Sequence, residues 1–293
     1  MIIGIMPNIS KERMVEIVSE IVEYMKKAKL EFLISENLKE IIEENKTVLF
    51  ENEFVSNDEL YKESDMILSI GGDGTMLNTA YESRFYNRPL FGVNVGKLGF
   101  LSEFALNRIE QFLFEIKRGE YFIEQRTTLE ATCTSGIEKN LFALNDIVID
   151  KGRWPKMIDL RISIDDEYVS SFSADGVIIA TPTGSTGYSL SAGGPIIDPH
   201  AAAFAISPLS PHTLTMRPLV ISTRQTIKVE VDSPYKSVQV NCDGQRVYDF
   251  EPPVCLDIKK SESSVQLVHS KSFGYFDTLR TKLFWGLDVR NNN

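Results

Sequence analysis

Cysteine, histidine and positive charge are all scarce in this chain. Its three cysteines, Cys133, Cys242 and Cys255, are far apart and form no CxxC pair, which excludes a disulfide framework or a cysteine-based zinc site. A reduced, cytoplasmic setting is expected. The three histidines, His200, His212 and His269, lack metal-ligand spacing, so no protein-built metal site is expected. Lys and Arg total 31 against 41 Asp and Glu, a formal charge of −10. That deficit argues against nucleic acid as a partner, because backbone binding depends on clustered cations and counterion release. No basic amphipathic helix is present to hold the chain on a membrane. Met1 to Met6 is the only apolar opening before Pro7, too short for a signal peptide or a spanning helix, and no later run reaches bilayer length. Neither GxxxxGK[ST] nor GxSxG occurs, so a Walker loop and a serine-hydrolase elbow both lack an anchor.

With 43% hydrophobic and 25% charged residues over 293 positions, the composition is that of an ordinary folded protein. The length suggests two packed units that need no metal or disulfide staple. The first hundred residues alternate strand-like and helix-like pieces. Met1 to Met6, Leu30 to Ile34, Met66 to Ile70 and Leu90 to Val95 read as strands. Met14, Ile17, Val18, Ile21 and Met25 share one face of a helix that Ser10 is placed to cap, and Met76 to Arg84 reads as another helix. This alternation predicts a Rossmann-like parallel sheet covered by helices.

A helix over Asn107 to Arg118, with an Asn107/Glu110 capping box and Gly119 after its end, precedes a change of period. Beyond it, Ile158, Leu160, Ile162 and Ile164, and later Val238, Val240 and Cys242, alternate with polar residues, the mark of half-buried strands. Asp165 to Glu167 and Asp243-Gly244 stand where hairpin turns are needed. The expected architecture is an α/β domain over 1–100 plus 270–293 and a β-rich, sandwich-like domain over 101–269. A C-terminal helix over Phe273 to Trp285 is expected to pack back on the first domain, with Asn291 to Asn293 fraying.

Three motifs carry chemistry. GGDGT, Gly71 to Thr75, stands between a strand and a helix, where glycines and a helix N-terminus present N–H groups to phosphate. Asp73 is a carboxylate where a phosphate turn would ordinarily avoid one. It either accepts a proton from, or orients, a hydroxyl nucleophile or a metal ion in phosphoryl transfer, or simply caps the helix. The second motif, SADGVIIATPTGSTGYSLSAGGP, runs from Ser173 to Pro195. After a strand over Val177 to Ala180, its small hydroxyls and glycines leave room for a flat ligand and donate to phosphate, ribose or carboxamide, and Tyr188 can stack on a base. The alternative is a glycine-rich linker. The third motif is Asn145-Asp146 between the apolar LFAL and IVID. Adjacent strand residues face opposite ways, so a bulge or strand end is required if both serve one ligand; satisfaction within the sheet is the alternative.

GGDGTML, VNVGKLGFL from Val93, LNDIVI from Leu144, the long glycine-rich block and PHTLTMRPLVI from Pro211 occur in this order, and together they resemble the bacterial NAD kinase (ATP-NAD kinase) family. The resemblance implies transfer of the γ-phosphate of ATP to the 2′-hydroxyl of the adenosine ribose of NAD, with a divalent metal ion, Mg²⁺, accompanying ATP. It implies that Asp73 is the general base, with Gly74 in the same phosphate-facing turn. Asn145 and Asp146 become the adenosine-binding pair. Asp175 and the run Thr186, Gly187, Tyr188, Ser189, Leu190 and Ser191 become binders of the dinucleotide, with Gln245 and, by a weaker alignment, Lys156 as further contacts. A homodimer or homotetramer with shared sites is implied as well. Gly187 stands where many members carry Ala, and Ser173 where some carry Arg.

Overall fold

Apolar residues on alternating sides of short strands, with helices of 3.6 periodicity between them, build the first part of the molecule. The computed structural model describes residues 1–45, 54–96, 99–133 and 140–284. Contacts divide the chain into two units, Met1–Gln125 with the residues from Gln266 on, and Arg126–Val265. In the first unit the strands run in the order Phe54–Val55, Glu31–Ser35, Ile2–Pro7, Met66–Gly71, Leu90–Asn94, Val265–Ser270 and Tyr121–Arg126, with Phe104–Ala105 also pairing with Leu90–Asn94. The pairings among the strands up to Leu90–Asn94 are parallel. Helix Met14–Ala28 buries Met14, Ile17, Val18, Ile21 and Met25 against Ile3, Ile5, Leu68, Ile70 and Val93 of the sheet.

Several details differ from the expectations. Ser10 does not cap that helix: its hydroxyl donates to Asn8 Oδ1, and the N-cap is Arg13, with φ 59° and no side-chain bond. The Asn107/Glu110 box is replaced by a 3₁₀ turn, Leu106–Arg108, leading into helix Ile109–Arg118 without a side-chain cap. Gly119 ends that helix at φ 70° as expected. Residues 101–125, grouped by sequence with the β-rich part, lie in the first unit. The helix over Ile109–Arg118 places Ile109, Phe112, Leu113 and Ile116 in the first core, where Phe112 meets Phe91 at 5.4 Å between ring centres. The change of period after Gly119 therefore marks a further strand of the first sheet. At the other end helix Tyr275–Leu283 buries Leu279, whereas Phe276 is exposed; Trp285 and Asn291 to Asn293 fall outside the described residues.

The second unit is a sandwich of two six-stranded sheets. One runs Leu219–Ser222, Ala203–Leu209, Gly176–Ala180, Asp146–Asp150, Val238–Cys242 and Arg246–Phe250; the other runs Glu167–Ala174, Ile158–Ile164, Ile227–Asp232, Val254–Lys260, Leu129–Cys133 and Asn140–Ala143. The pairings are antiparallel, as in Ile162 opposite Val229 and Ile149 opposite Val177. The inward residues Leu160, Ile162, Val238, Val240 and Cys242 form one core, so the period-2 runs are the two inner faces. The expected hairpin turns are present, with Asp165, Asp166, Asp243 and Gly244 at positive φ.

Candidate functional site

Strand Met66–Gly71 stops at the first glycine of GGDGT, Gly72 is the N-cap, and Asp73 is the first residue of helix Asp73–Ser83. Asp73 is therefore not the cap. Thr75 holds the turn: its Oγ1 accepts from the Gly72 N–H at 3.4 Å and from Asn8 Nδ2 at 3.0 Å. Gly74 follows, half-buried. The Asp73 carboxylate points across to the loop after Leu90–Asn94. Its Oδ1 accepts from the N–H groups of Leu101 and Ser102 at 3.2 and 3.0 Å, and its Oδ2 from Phe100 at 2.6 Å. A Cβ on Gly99 would lie 1.7 Å from Oδ1, so the loop reaches the carboxylate only with glycine there. A carboxylate has about four lone-pair directions. Oδ1 fills both of its own, and Oδ2 is the oxygen left with an open one. Lys282, half-buried on helix Tyr275–Leu283, has its ammonium pKa lowered by burial, while the charge of Asp73 opposes that shift.

In the second unit the other motifs form one knot. Asn145 and Asp146 sit at the junction before strand Asp146–Asp150, the strand end required for both to serve one ligand. Asp243 holds that junction. Its carboxylate accepts from the N–H groups of Leu144 at 3.0 Å, Asn145 at 2.6 Å and Asp146 at 3.3 Å, and from Arg246 at 2.8 Å. The glycine-rich block closes on the same place. Thr181 donates from N–H to Asn145 O at 2.9 Å and from Oγ1 to Leu144 O at 2.6 Å. A Cβ on Gly184 would lie 2.0 Å from Asn145 O, so backbone packs on backbone. Asn145 Oδ1 is buried there with no hydrogen-bond partner.

The block is less open than its polarity suggests. Thr181, Ser185 and Ser189 are fully buried; Ser185 donates to Pro182 O at 2.6 Å, and the Ser189 hydroxyl meets that of Ser207 at 3.1 Å. Hydroxyls paired this way belong to a core. The surface is made by its neighbours: Gly187, Tyr188 and Ser191 are exposed, and Thr186 and Leu190 half-buried. Gln245 is also exposed, in the turn after Asp243. Asp175 is ion-paired to Lys151 at 2.5 Å, while Lys156 is exposed. Sequence reasoning read Asp243 only as a turn residue and missed Lys151 and Lys282. The placement of DG just before Gln245 was the available signal for Asp243.

Electrostatics separate the carboxylates of the knot. Burial first, and then the charge of Asp243, push the Asp146 carboxyl up to about 7. Burial also raises Asp243, but the N–H groups of Leu144 and Asn145 and the Arg246 guanidinium pull it back. Beside them the Cys242 thiol is pushed up to about 12, chiefly by burial, which leaves it protonated and inert. Among the described residues no group of three or more His, Cys, Asp or Glu side chains converges to hold a metal ion. No described helix is long and apolar enough to cross a membrane.

Family models of the ATP-NAD kinase N-terminal domain and C-terminal domain match residues 3–121 and 144–270. The chain is 37% identical over 284 residues to an NAD kinase of Chloroherpeton thalassium, covering 97% of each chain. It is 40% identical over 294 residues to one of Chlorobium phaeovibrioides, covering 99% of this chain and 100% of that one. Among solved structures, yeast NADH kinase complexed with NADH superposes with a TM-score of 0.87 at 25% identity, covering 100% of this chain and 90% of that one. An Archaeoglobus fulgidus NAD kinase in complex with ATP gives 0.74 at 27% identity, covering 97% and 99%. Two domain matches that together span most of the sequence, and relatives aligned end to end, agree with the phosphate turn and the glycine-rich knot: the chain belongs to the ATP-NAD kinase family.

Proposed function

We propose that the protein transfers the γ-phosphate of ATP to the 2′-hydroxyl of the adenosine ribose of NAD, giving NADP and ADP. Family membership supports the reaction class. One observation carries the acceptor half: the buried Asn145 Oδ1, partnerless beside Asp146 at the centre of the knot, has the chemistry to accept from a ribose hydroxyl or an adenine amino group. Asp146, half-protonated near neutrality, both donates and accepts there. Tyr188, 52% exposed, offers a face for a base, and Asp175 with Lys151 a polar partner for the carboxamide. Thr186, Gly187, Leu190, Ser191 and Gln245 line the remaining dinucleotide contacts, with Lys156 at the periphery. Ser189 supports them through Ser207 rather than by touching ligand.

Asp73 is the general base in this reading. Its Oδ2, with one lone pair open, takes the proton as the ribose oxygen bonds to the γ-phosphorus and the bond to the β–γ bridging oxygen breaks. The first turn of helix Asp73–Ser83, including Gly74, presents N–H groups to the phosphates. A divalent ion, Mg²⁺, would be carried by the phosphate oxygens of the nucleotide and by water, with the Asp73 carboxylate beside the phosphate-facing turn as the protein's own oxygen donor nearby. When bound, that ion neutralises charge on the phosphate oxygens. We assign the protein to the cytoplasm, in keeping with three cysteines that lie far apart in sequence and form no CxxC pair. It works as a homodimer or homotetramer with shared sites, a reading supported by exposed Leu219 and Val220 on the edge strand Leu219–Ser222 and by exposed Leu214 in the turn before it.

The test is incubation with ATP, Mg²⁺ and NAD and measurement of NADP. Absence of product with NAD binding intact would reduce the protein to a noncatalytic binder. Light scattering gives the subunit count.

A further inference from the structure

A second buried carboxylate cluster lies one residue beyond the loop that grips Asp73. His269, on strand Val265–Ser270, has Nδ1 at 2.7 Å from Glu103 Oε2 and Nε2 at 2.9 Å from Glu124 Oε2. Glu124 is on the neighbouring strand Tyr121–Arg126. The three side chains are 5%, 14% and 8% exposed, and the imidazole stacks on Phe273 at 4.3 Å with Phe122 at 5.3 Å. The Nδ1 bond to Glu103 ties the ring to the residue that follows the loop, and the Glu124 carboxylate lies against the other side of the ring. Burial raises the Glu103 carboxyl and the hydrogen bond from His269 opposes that shift. Two carboxyl groups and an imidazole buried together are a costly way to stabilise a fold, since apolar residues of like volume do as well or better. Such a cluster is useful where one geometry must be kept.

What it keeps is the adjoining loop. Phe100, Leu101 and Ser102 turn three successive N–H groups onto Asp73 while lying outside any helix or strand. Glu103 follows directly. Beyond it Phe104 pairs with Val93 at the end of the sheet, which fixes the path of the chain but not the angle at which the three N–H groups meet the carboxylate. The side chain of Glu103, clamped by His269, fixes that angle.

We infer that Glu103 and His269, with Glu124 behind them, are positioning residues for Asp73: they hold the Phe100–Ser102 loop so that Oδ1 is saturated and Oδ2 is aimed at the acceptor hydroxyl. This rests on Asp73 being the base. Displacing a reacting group by about 1 Å costs on the order of 10² in rate. Glu103→Ala should therefore lower kcat roughly 10- to 100-fold, with KM for NAD within about threefold. Glu103→Gln, which keeps a carbonyl oxygen for the Nδ1 proton, should recover kcat to within about threefold of the parent. Amide hydrogen exchange at Phe100, Leu101 and Ser102 should quicken in Glu103→Ala and return towards parental rates in Glu103→Gln.

Exchange and turnover separate the two layers of the argument. Unchanged exchange in folded Glu103→Ala overturns the positioning role, and so does a Glu103→Gln enzyme as impaired as Glu103→Ala. Faster exchange with unchanged turnover leaves the loop anchored as described but removes Asp73 from the chemistry, which Asp73→Asn in the same assay tests directly. Should Glu103→Ala not fold, Glu103→Asp keeps the charge while withdrawing it by one methylene, and faster exchange with a lower kcat at constant KM is again required.

Discussion

In the first unit Asp73 receives three backbone N–H groups, whereas in the second Asp146 is buried against the charge of Asp243, and both influences push its pKa upward. The neighbouring Asp243 resembles Asp73, with three N–H groups and an arginine on its oxygens. Donors on an anion fix its direction, and at Asp243 they oppose the effect of burial; at Asp146 burial and a like charge act together and push the carboxyl up to about 7. In the proposed reaction, an anion that must face one atom suits the first treatment. A group that must meet both donors and acceptors on a nucleoside suits the second.

The sharpest way to break this contrast is Asp73→Asn. Turnover should fall by about 10² to 10⁴ with dinucleotide affinity little changed. The carboxamide nitrogen would also face an N–H donor of the loop, so faster amide exchange at Phe100 to Ser102 is expected alongside. Parental turnover would remove Asp73 from the role of base. Next comes Gly184→Ala, whose Cβ would fall 2.0 Å from Asn145 O. It should cost about 2–4 kcal/mol and abolish NAD binding in calorimetry, because the backbone that carries Asn145 must move.

Asp146→Asn acts through pH. The Asp146 carboxyl titrates at about 7 in the fold against an ordinary 3.8, so the folded chain binds an extra proton between those values. The stability this contributes is complete below about pH 4 and is lost as pH rises through about 7. The melting temperature of Asp146→Asn relative to the parent should climb steadily from about pH 4 to about pH 7 and level off above that, the variant ending a few degrees higher near pH 8. A difference in melting temperature that does not vary with pH would refute the shift. The smallest effect belongs to Gly187→Ala. Its Cβ would stand 3.3 Å from Gly184 O at a φ of −95°, so activity within about twofold of the parent is expected, with steady-state kinetics as the check.

The sheet of the first unit and the sandwich of the second were legible because burial leaves a periodic trace. Met14 to Met25 and Ile158 to Ile164 show the two periods plainly. For Asn145-Asp146 the sequence allows a bulge or a strand end if both serve one ligand, or satisfaction within the sheet, and Asp146 is the first residue of its strand. What escaped depends on partners distant in sequence. Thr181 and Ser189 look like surface until Leu144 and Ser207 satisfy them. Lys151 gains meaning only opposite Asp175. His269 has no ligand spacing in the sequence, since its neighbours lie 166 residues away at Glu103 and on an adjacent strand at Glu124. Residues 101–125 were misassigned because a strand at Tyr121–Arg126 carries no label for the sheet it joins.

The order of strands in the first sheet also sets an order in time. Val265–Ser270 lies between Leu90–Asn94 and Tyr121–Arg126, although it leaves the ribosome after the whole of the second unit has been made. The sandwich can close as soon as residue 265 is available, while the first sheet waits, split in two, for its interior strand. That strand brings His269 with it, so the clamp behind Asp73 is assembled last. A nascent chain can hold a finished knot around Asn145 before its GGDGT turn has been set.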